Sequence, residues 1–135
     1  MDTLSPQKRS WNMSRIKNRD TKPEITVRSL LHRMGYRFRL HRKDLPGKPD
    51  IVLPKYNTVI FVHGCFWHRH KNCHFAYTPK SNITFWTEKF EKNIRRDAKN
   101  KAELENLGWN VRIIWECEAN NQKNLKGIIQ KYLQL

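Results

Sequence analysis

The 135-residue sequence predicts a single α/β domain: a central mixed β-sheet flanked by helices, in the order α-β-β-β-α-β-α. Three observations carry this. The length suits one domain with one hydrophobic core. Helical-period apolar stretches, bounded by capping and stop residues, alternate with short β-branched runs. The longest helix falls between the third and fourth strands, where it makes a crossover, whereas the earlier strands are joined by turns.

Taken in order, residues 1–20 read as a basic arm and residues 21–135 as the folded domain. Thr21-Lys22-Pro23-Glu24 has the form of a capping box with proline in the first turn, which starts a helix. Ile25, Leu30, Leu31 and Met34 supply its apolar face, and Gly35 is placed to end it. Tyr36, Phe38 and Leu40 alternate with Arg37, Arg39 and His41, the pattern of a half-exposed strand. Residues 45–49 turn the chain, 50–53 form a short buried strand, 54–57 turn again, and 58–63 form the third strand. After a Cys/His-rich segment, Ser81 or Thr84 opens a helix to about Leu107. Trp86, Phe90, Ile94, Ala98 and Leu104 lie near one of its faces, and Gly108 stops it. Residues 110–116 read as a buried strand, and Leu125, Ile128, Ile129 and Tyr132 mark a final helix. No repeat or low-complexity tract interrupts this order.

Composition narrows the function classes. The chain carries 27 Lys+Arg against 12 Asp+Glu, a formal +15. Residues 1–50 hold 13 basic and 5 acidic side chains, 51–100 hold 9 and 3, and the last 35 hold 5 and 4, giving +8, +6 and +1. Charge spread only for solubility would be more even; a clustered excess points to phosphate contacts and a nucleic-acid partner. With 15 aromatic residues the chain is not a disordered basic tail. No apolar run approaches the roughly 18–20 residues of a membrane span, and MDTLSPQKRSW lacks the apolar region of a signal peptide. Neither secretion nor membrane insertion is expected.

Three cysteines cannot all pair internally, and their spacing is that of a metal site. Cys65-x4-His70-x2-Cys73 is followed by Cys117 after the fourth strand, and three thiolates with one imidazole make a tetrahedral structural zinc set. His63, His68 and His74 crowd the same dozen residues, so the choice of imidazole stays open; three free buried cysteines are the bland alternative. A metal would hold in shape a loop that has little apolar core of its own.

Asp50 follows Pro49 at the start of a buried strand, a costly place for an unpartnered carboxylate. Phe61-Val62-His63 comes about a dozen residues later. An acidic residue opening one strand, with polar groups emerging from the next, is the layout of metal-dependent phosphodiesterases. Their usual Asp…(Asp/Glu)-x-Lys pattern has Phe61 here at the second acidic position and His63 at the lysine.

The stretches PGKPDIVLPKYNTVIFVHGCFWHRH, FWTEKFEKNIRRDAKN and LGWNVRIIWEC, with NMSRIKNRDTKPE upstream, closely resemble the very-short-patch repair (Vsr) endonucleases, a branch of the PD-(D/E)xK nuclease superfamily. The resemblance covers about Ser10 to Cys117. It implies a restriction-endonuclease-like fold and nicking of one strand of duplex DNA 5′ of the mispaired T in a T·G mismatch. Such mismatches arise by deamination of 5-methylcytosine. It implies that Asp50 binds catalytic Mg²⁺ together with the backbone carbonyl of Val62. His68 is then the general base or water-positioning group, and His63 contacts the phosphate or the leaving oxygen. Glu24 orients the histidines or the metal's waters, although its sequence context equally makes it the glutamate of a capping box.

Phe66 and Trp67 either pack on the zinc loop or wedge between base pairs, where a mismatched step opens more cheaply. Met13 matches the methionine that the family inserts from the other groove, with helix packing as its plain alternative. Arg15 and Lys89 complete the expected DNA contacts. A monomer in the bacterial cytoplasm, associated with the nucleoid and with mismatch-repair factors, follows from the same resemblance.

Two departures stand out. Lys71-Asn72 carries one residue more than the family pattern before Cys73, which lets His74 compete with His70 as zinc ligand. Val62 replaces a threonine, which matters little if only its carbonyl binds the metal. The other readings are a different repair or restriction nuclease of the superfamily, or a non-catalytic zinc-stabilised DNA-binding module.

Overall fold

A computed structural model of the protein describes residues 21–74, 76–77 and 79–133; the basic arm, with Met13 and Arg15, lies outside the described residues. Helix α1 (Lys22–Arg33) starts as its sequence requires, with the Glu24 N–H donating to Thr21 Oγ1 at 3.4 Å and proline in the first turn. It stops by a Schellman arrangement. Gly35 takes φ +89° and donates to the His32 carbonyl, and the Tyr36 N–H donates to that of Leu31. Its buried face is Glu24, Val27, Leu30 and Leu31, whereas Ile25 is 41% exposed and belongs to the outer face. Glu24 thus departs from a reciprocal capping box: its carboxylate is buried and turned to His41.

The expected first strand shrinks to Arg39–Leu40 (β1), both exposed, because Tyr36 and Phe38 pack sideways against the core instead of pairing. A two-residue strand also blunts the sheet edge. β2 (Ile51–Leu53) is wholly buried; a 3-10 turn over Pro54–Tyr56 and left-handed Asn57 (φ 53°) lead into β3 (Thr58–His63). Helix α2 (Ile83–Asn106) crosses over to β4 (Asn110–Trp115). The sheet order is β1-β2-β3-β4, antiparallel up to β3 and parallel between β3 and β4, the mixed sheet that the sequence predicts. The fourth strand ends one residue early, because Glu116 opens a short helix, α3 (Glu116–Ala119), and Glu118 accepts the Trp115 N–H at 2.9 Å. Helix α4 (Gln122–Leu133) closes the described chain.

Period-two alternation divides the core between the two faces of the sheet. Ile51, Leu53, Ile60 and Ile114 meet Val27 and Leu31 of α1 and Leu125 and Ile129 of α4. Val52, Val59 and Val111 meet Leu45 and Leu104 on the other face. To that second cluster α2 contributes Leu104, near its end. The inward stripe of α2 is Trp86, Phe90, Asn93, Asp97, Asn100 and Leu104, while Ile94, 48% exposed, and Ala98 face outward, against expectation. Its polar middle borders a cleft rather than a core. Among the described residues, no helix is long and apolar enough to cross a membrane.

Candidate functional site

The cleft lies between α2, the 45–49 turn and the C-terminal end of β3. It encloses about 1250 Å³, and its lining includes Lys22, Lys43, Lys48, Lys89 and Arg96 around Asp50. The PGKP turn is seated against α2. Gly47 takes φ +74°, and a Cβ there would stand 2.7 Å from the Asn100 side chain, so glycine is required on both counts. The turn delivers Asp50 to the start of β2, beside the end of β3.

The Val62 N–H donates to Asp50 Oδ2 at 2.7 Å. In an extended strand a residue's N–H and C=O leave toward the same neighbour, so the Val62 carbonyl also faces the Asp50 side. Burial pushes the Asp50 carboxyl up to about 6, against the opposing pull of the Val62 hydrogen bond and with the negative charge of Glu24 adding to the rise. Glu24, only 2% exposed, is hydrogen-bonded to His41 Nε2 and lies 4.0 Å from Arg28. One donor atom from each of Glu24, His41 and Asp50 lies within 4.8 Å of the others. Two buried carboxylates so close together favour a cation between them.

His63 ends β3, and His68 follows on the next loop. Their rings stack at 3.8 Å with planes 6° apart, and His68 Nδ1 is 2.5 Å from Asp97 Oδ2. Burial opposes the Asp97 carboxylate, but the His68 hydrogen bond and the charges of His68, His63 and Arg96 outweigh it and lower its pKa. Burial, then the charge of His68, depress His63 to about 3, and its buried Nδ1 has no hydrogen-bond partner among the described residues. One imidazole of the stack is therefore kept neutral while the other is held by a carboxylate.

Phe66 and Trp67 line the cleft half-buried. Phe66 packs edge-on against Trp67 and Phe90 at 5.2 Å and Trp86 at 5.5 Å, with the Tyr77 ring at 5.0 Å. Lys89 is in the same wall. These aromatics pack against α2 and Tyr77 rather than on the cysteine cluster, and both line the cleft.

The cysteines converge behind it. Cys65 on the loop after β3, His70 and Cys73 beyond it, and Cys117 in α3 place one donor atom each within 4.8 Å of the others. His70 Nδ1 lies 3.6 Å from Cys65 Sγ and 3.4 Å from Cys117 Sγ. A tetrahedral site with metal–sulfur near 2.3 Å and metal–nitrogen near 2.0 Å separates sulfur and nitrogen by about 3.5 Å, so the donors fit zinc-like geometry. His74 is exposed and outside the cluster; left-handed Asn72 (φ 58°) turns the chain so that Cys73 reaches it despite the longer spacing. Burial pushes the Cys65 thiol up to about 12 and also raises Cys117, a bias that a bound cation would reverse.

Of the sequence-derived site residues, the structure brings Asp50, Val62, His63 and His68 to one cleft, with Phe66, Trp67 and Lys89 on its walls, and places Glu24 buried beside Asp50 but outside the cleft lining. His41 and Asp97 were missed. Asp97 had a signal, since the 3–4 spacing of 86, 90, 93, 97, 100 and 104 is one helical stripe with a polar centre. His41 had none beyond being polar at the end of an alternating run.

The family described as DNA mismatch endonuclease Vsr matches residues 1–74 of this chain. The chain is 48% identical over 132 residues to the Type II nicking enzyme V.XorIIP of Xanthomonas oryzae pv. oryzae, covering 98% of this chain and 96% of the relative. It is 50% identical over 121 residues to the Type II nicking enzyme V.NmeAIP of Neisseria meningitidis serogroup A, covering 90% and 86%. It is 44% identical over 117 residues to the DNA mismatch endonuclease Vsr of Escherichia coli, covering 87% and 74%.

Proposed function

Because the chain belongs to the DNA mismatch endonuclease Vsr family and is a DNA endonuclease, we propose that it nicks one strand of duplex DNA 5′ of the mispaired T in a T·G mismatch, initiating very-short-patch repair of deaminated 5-methylcytosine. The observation that carries this is the convergence of Asp50, His63 and the His68–Asp97 pair in one basic cleft. A binding module has no use for a buried, unpartnered histidine nitrogen beside a carboxylate-held imidazole.

Asp50 and the Val62 carbonyl would hold Mg²⁺, with Glu24 close behind; phosphate oxygens and water suit its remaining positions. When bound, the cation neutralises charge at the scissile phosphate and activates water. The protein's own groups do the rest. Asp97 accepts the Nδ1 proton of His68 and so leaves Nε2 as the basic nitrogen, which takes a proton from the attacking water. The Asp97 carboxylate then stabilises the imidazolium, as in other carboxylate–histidine pairs. His63 stays neutral beside that new charge and offers a hydrogen bond to the phosphate or the leaving oxygen.

Phe66 and Trp67 would enter the mismatched step from one groove and Met13 from the other, with Arg15 and Lys89 on phosphates and residues 1–20 folding onto DNA. Cys65, His70, Cys73 and Cys117 would hold a structural Zn²⁺ that fixes the loop bearing these aromatics and His68. The enzyme would act as a monomer in the bacterial cytoplasm, close to the nucleoid and to mismatch-repair factors. The test is end-labelled nicking of T·G duplexes with Mg²⁺. Cleavage confined to the T strand and abolished by Asp50→Ala supports the reading; an unaltered rate in that variant contradicts it.

A further inference from the structure

The trio of Glu24, His41 and Asp50 beside α1, of which Glu24 is buried, holds a nitrogen that the mechanism above leaves unused. His41 follows β1 in a left-handed conformation (φ 48°), which histidine adopts more readily than most residues and which turns the chain at the end of the strand. Its backbone N–H donates to the Asp50 carbonyl at 3.2 Å, which ties it to the residue whose carboxylate faces the cleft. Its Nε2 meets the Glu24 carboxylate, and its side chain is 19% exposed. A donor atom from each of Glu24, His41 and Asp50 falls within 4.8 Å of the others, from three separate segments of chain. A surface histidine pairing with a carboxylate would need neither the backbone tie nor the second carboxylate.

We propose that His41 is a nitrogen ligand of the Asp50 cation site and makes that site prefer Mn²⁺ to Mg²⁺. The inference rests on the metal-dependent reading of Asp50 given above. Mg²⁺ is a hard cation that binds oxygen and keeps its waters. An imidazole beside two carboxylates gives a mixed N/O set, and nitrogen donors favour first-row transition ions. Glu24 is then a second oxygen donor of the same site, its hydrogen bond to His41 Nε2 giving way when both groups turn to the cation.

The test uses the full-length protein, stripped of loosely held divalent ions, titrated with Mn²⁺ alone and followed by electron paramagnetic resonance. The wild type is expected to bind one Mn²⁺ that Asp50→Ala removes, with nitrogen coupling in the pulsed spectrum. His41→Gln should lose that coupling and bind Mn²⁺ about tenfold more weakly while Mg²⁺ affinity changes less than about twofold. His68→Gln should keep the coupling, which separates His41 from the neighbouring histidine. His41→Asn, which supplies an oxygen donor, serves if the glutamine variant melts early. Mn²⁺ bound at Asp50 without nitrogen coupling, or coupling that survives both His41 variants, overturns the role of His41 and leaves the Asp50 reading intact. Mn²⁺ binding indifferent to Asp50→Ala overturns both.

Discussion

Two regions rich in side chains that could hold a metal adjoin the end of β3, and Cys65 stands only two residues beyond His63. The first is closed. Three thiols and His70 converge from the loop and from α3, and Cys65 is fully buried, so the donors use up one another's geometry. The second is open. Asp50, His63, His68 and Asp97 border a basic cleft, with Glu24 and His41 behind Asp50, and the His63 Nδ1 is buried without a hydrogen-bond partner among the described residues. The difference teaches how a small domain divides its work. A metal held by the closed set would brace the loop that carries Phe66, Trp67 and His68, and the open set would keep charged and polar groups ready for a phosphate.

Each cluster should fail in one readout and leave the other intact. Cys117→Ala should lose stoichiometric zinc and lower the melting temperature by about 10 °C or more, because metal binding there is folding energy. Asp50→Ala should remove at least about a thousandfold of nicking while leaving the melting temperature unchanged or raised, since it relieves a buried charge. Metal analysis and thermal melts on both variants check this.

Asp97→Asn comes next. It preserves shape but withdraws the charge that holds His68 Nδ1, so kcat should fall about 10²- to 10⁴-fold with DNA affinity nearly unchanged. A single-turnover rate beside a binding isotherm makes the measurement.

A smaller effect concerns pH. His63 has a folded pKa of about 3 against an ordinary value of 6.5. Between those values the unfolded chain binds a proton that the folded one refuses, so this group lowers stability as pH falls below 6.5. Asp50, raised to about 6, acts in the opposite direction between 6 and 3.8. Comparing His63→Gln with the wild type cancels the Asp50 contribution. The variant should gain, relative to the wild type, on the order of 2 kcal/mol between pH 7 and 4.5 in denaturant melts. The smallest expected change is Lys89→Ala, which should weaken DNA binding modestly and reduce the salt-dependence slope by about one.

Much of this architecture was legible because its determinants are local. Thr58–His63 is a β-branched run between turns, Gly35 and Pro23 mark the ends of α1, and the cysteine spacing names its own chemistry. What was not legible depends on contacts across the chain. His68 meets Asp97 over 29 positions and Glu24 meets His41 over 17. Apolar periodicity put Ile94 and Ala98 on the inward face of α2, because a helix bordering a reactive cleft turns polar side chains inward and breaks the rule that buried means apolar. Glu24 satisfied the capping-box pattern, yet the buried pair with His41 claimed its carboxylate. Spacing alone leaves both His70 and His74 open as the fourth donor, whereas the folded chain, turned at Asn72, puts His70 among the three thiols.

The central claim is that the open cluster acts on a mispaired base rather than on DNA in general. Initial nicking rates on two duplexes of the same sequence, one with T·G and one with T·A at the same position, test it most directly. The expected result is cleavage of the T strand 5′ of the mispaired T, at least a hundredfold faster than on the matched duplex at equal salt, equivalent to about 2.7 kcal/mol. Equal rates on the two duplexes, or equal cutting of both strands, would contradict it.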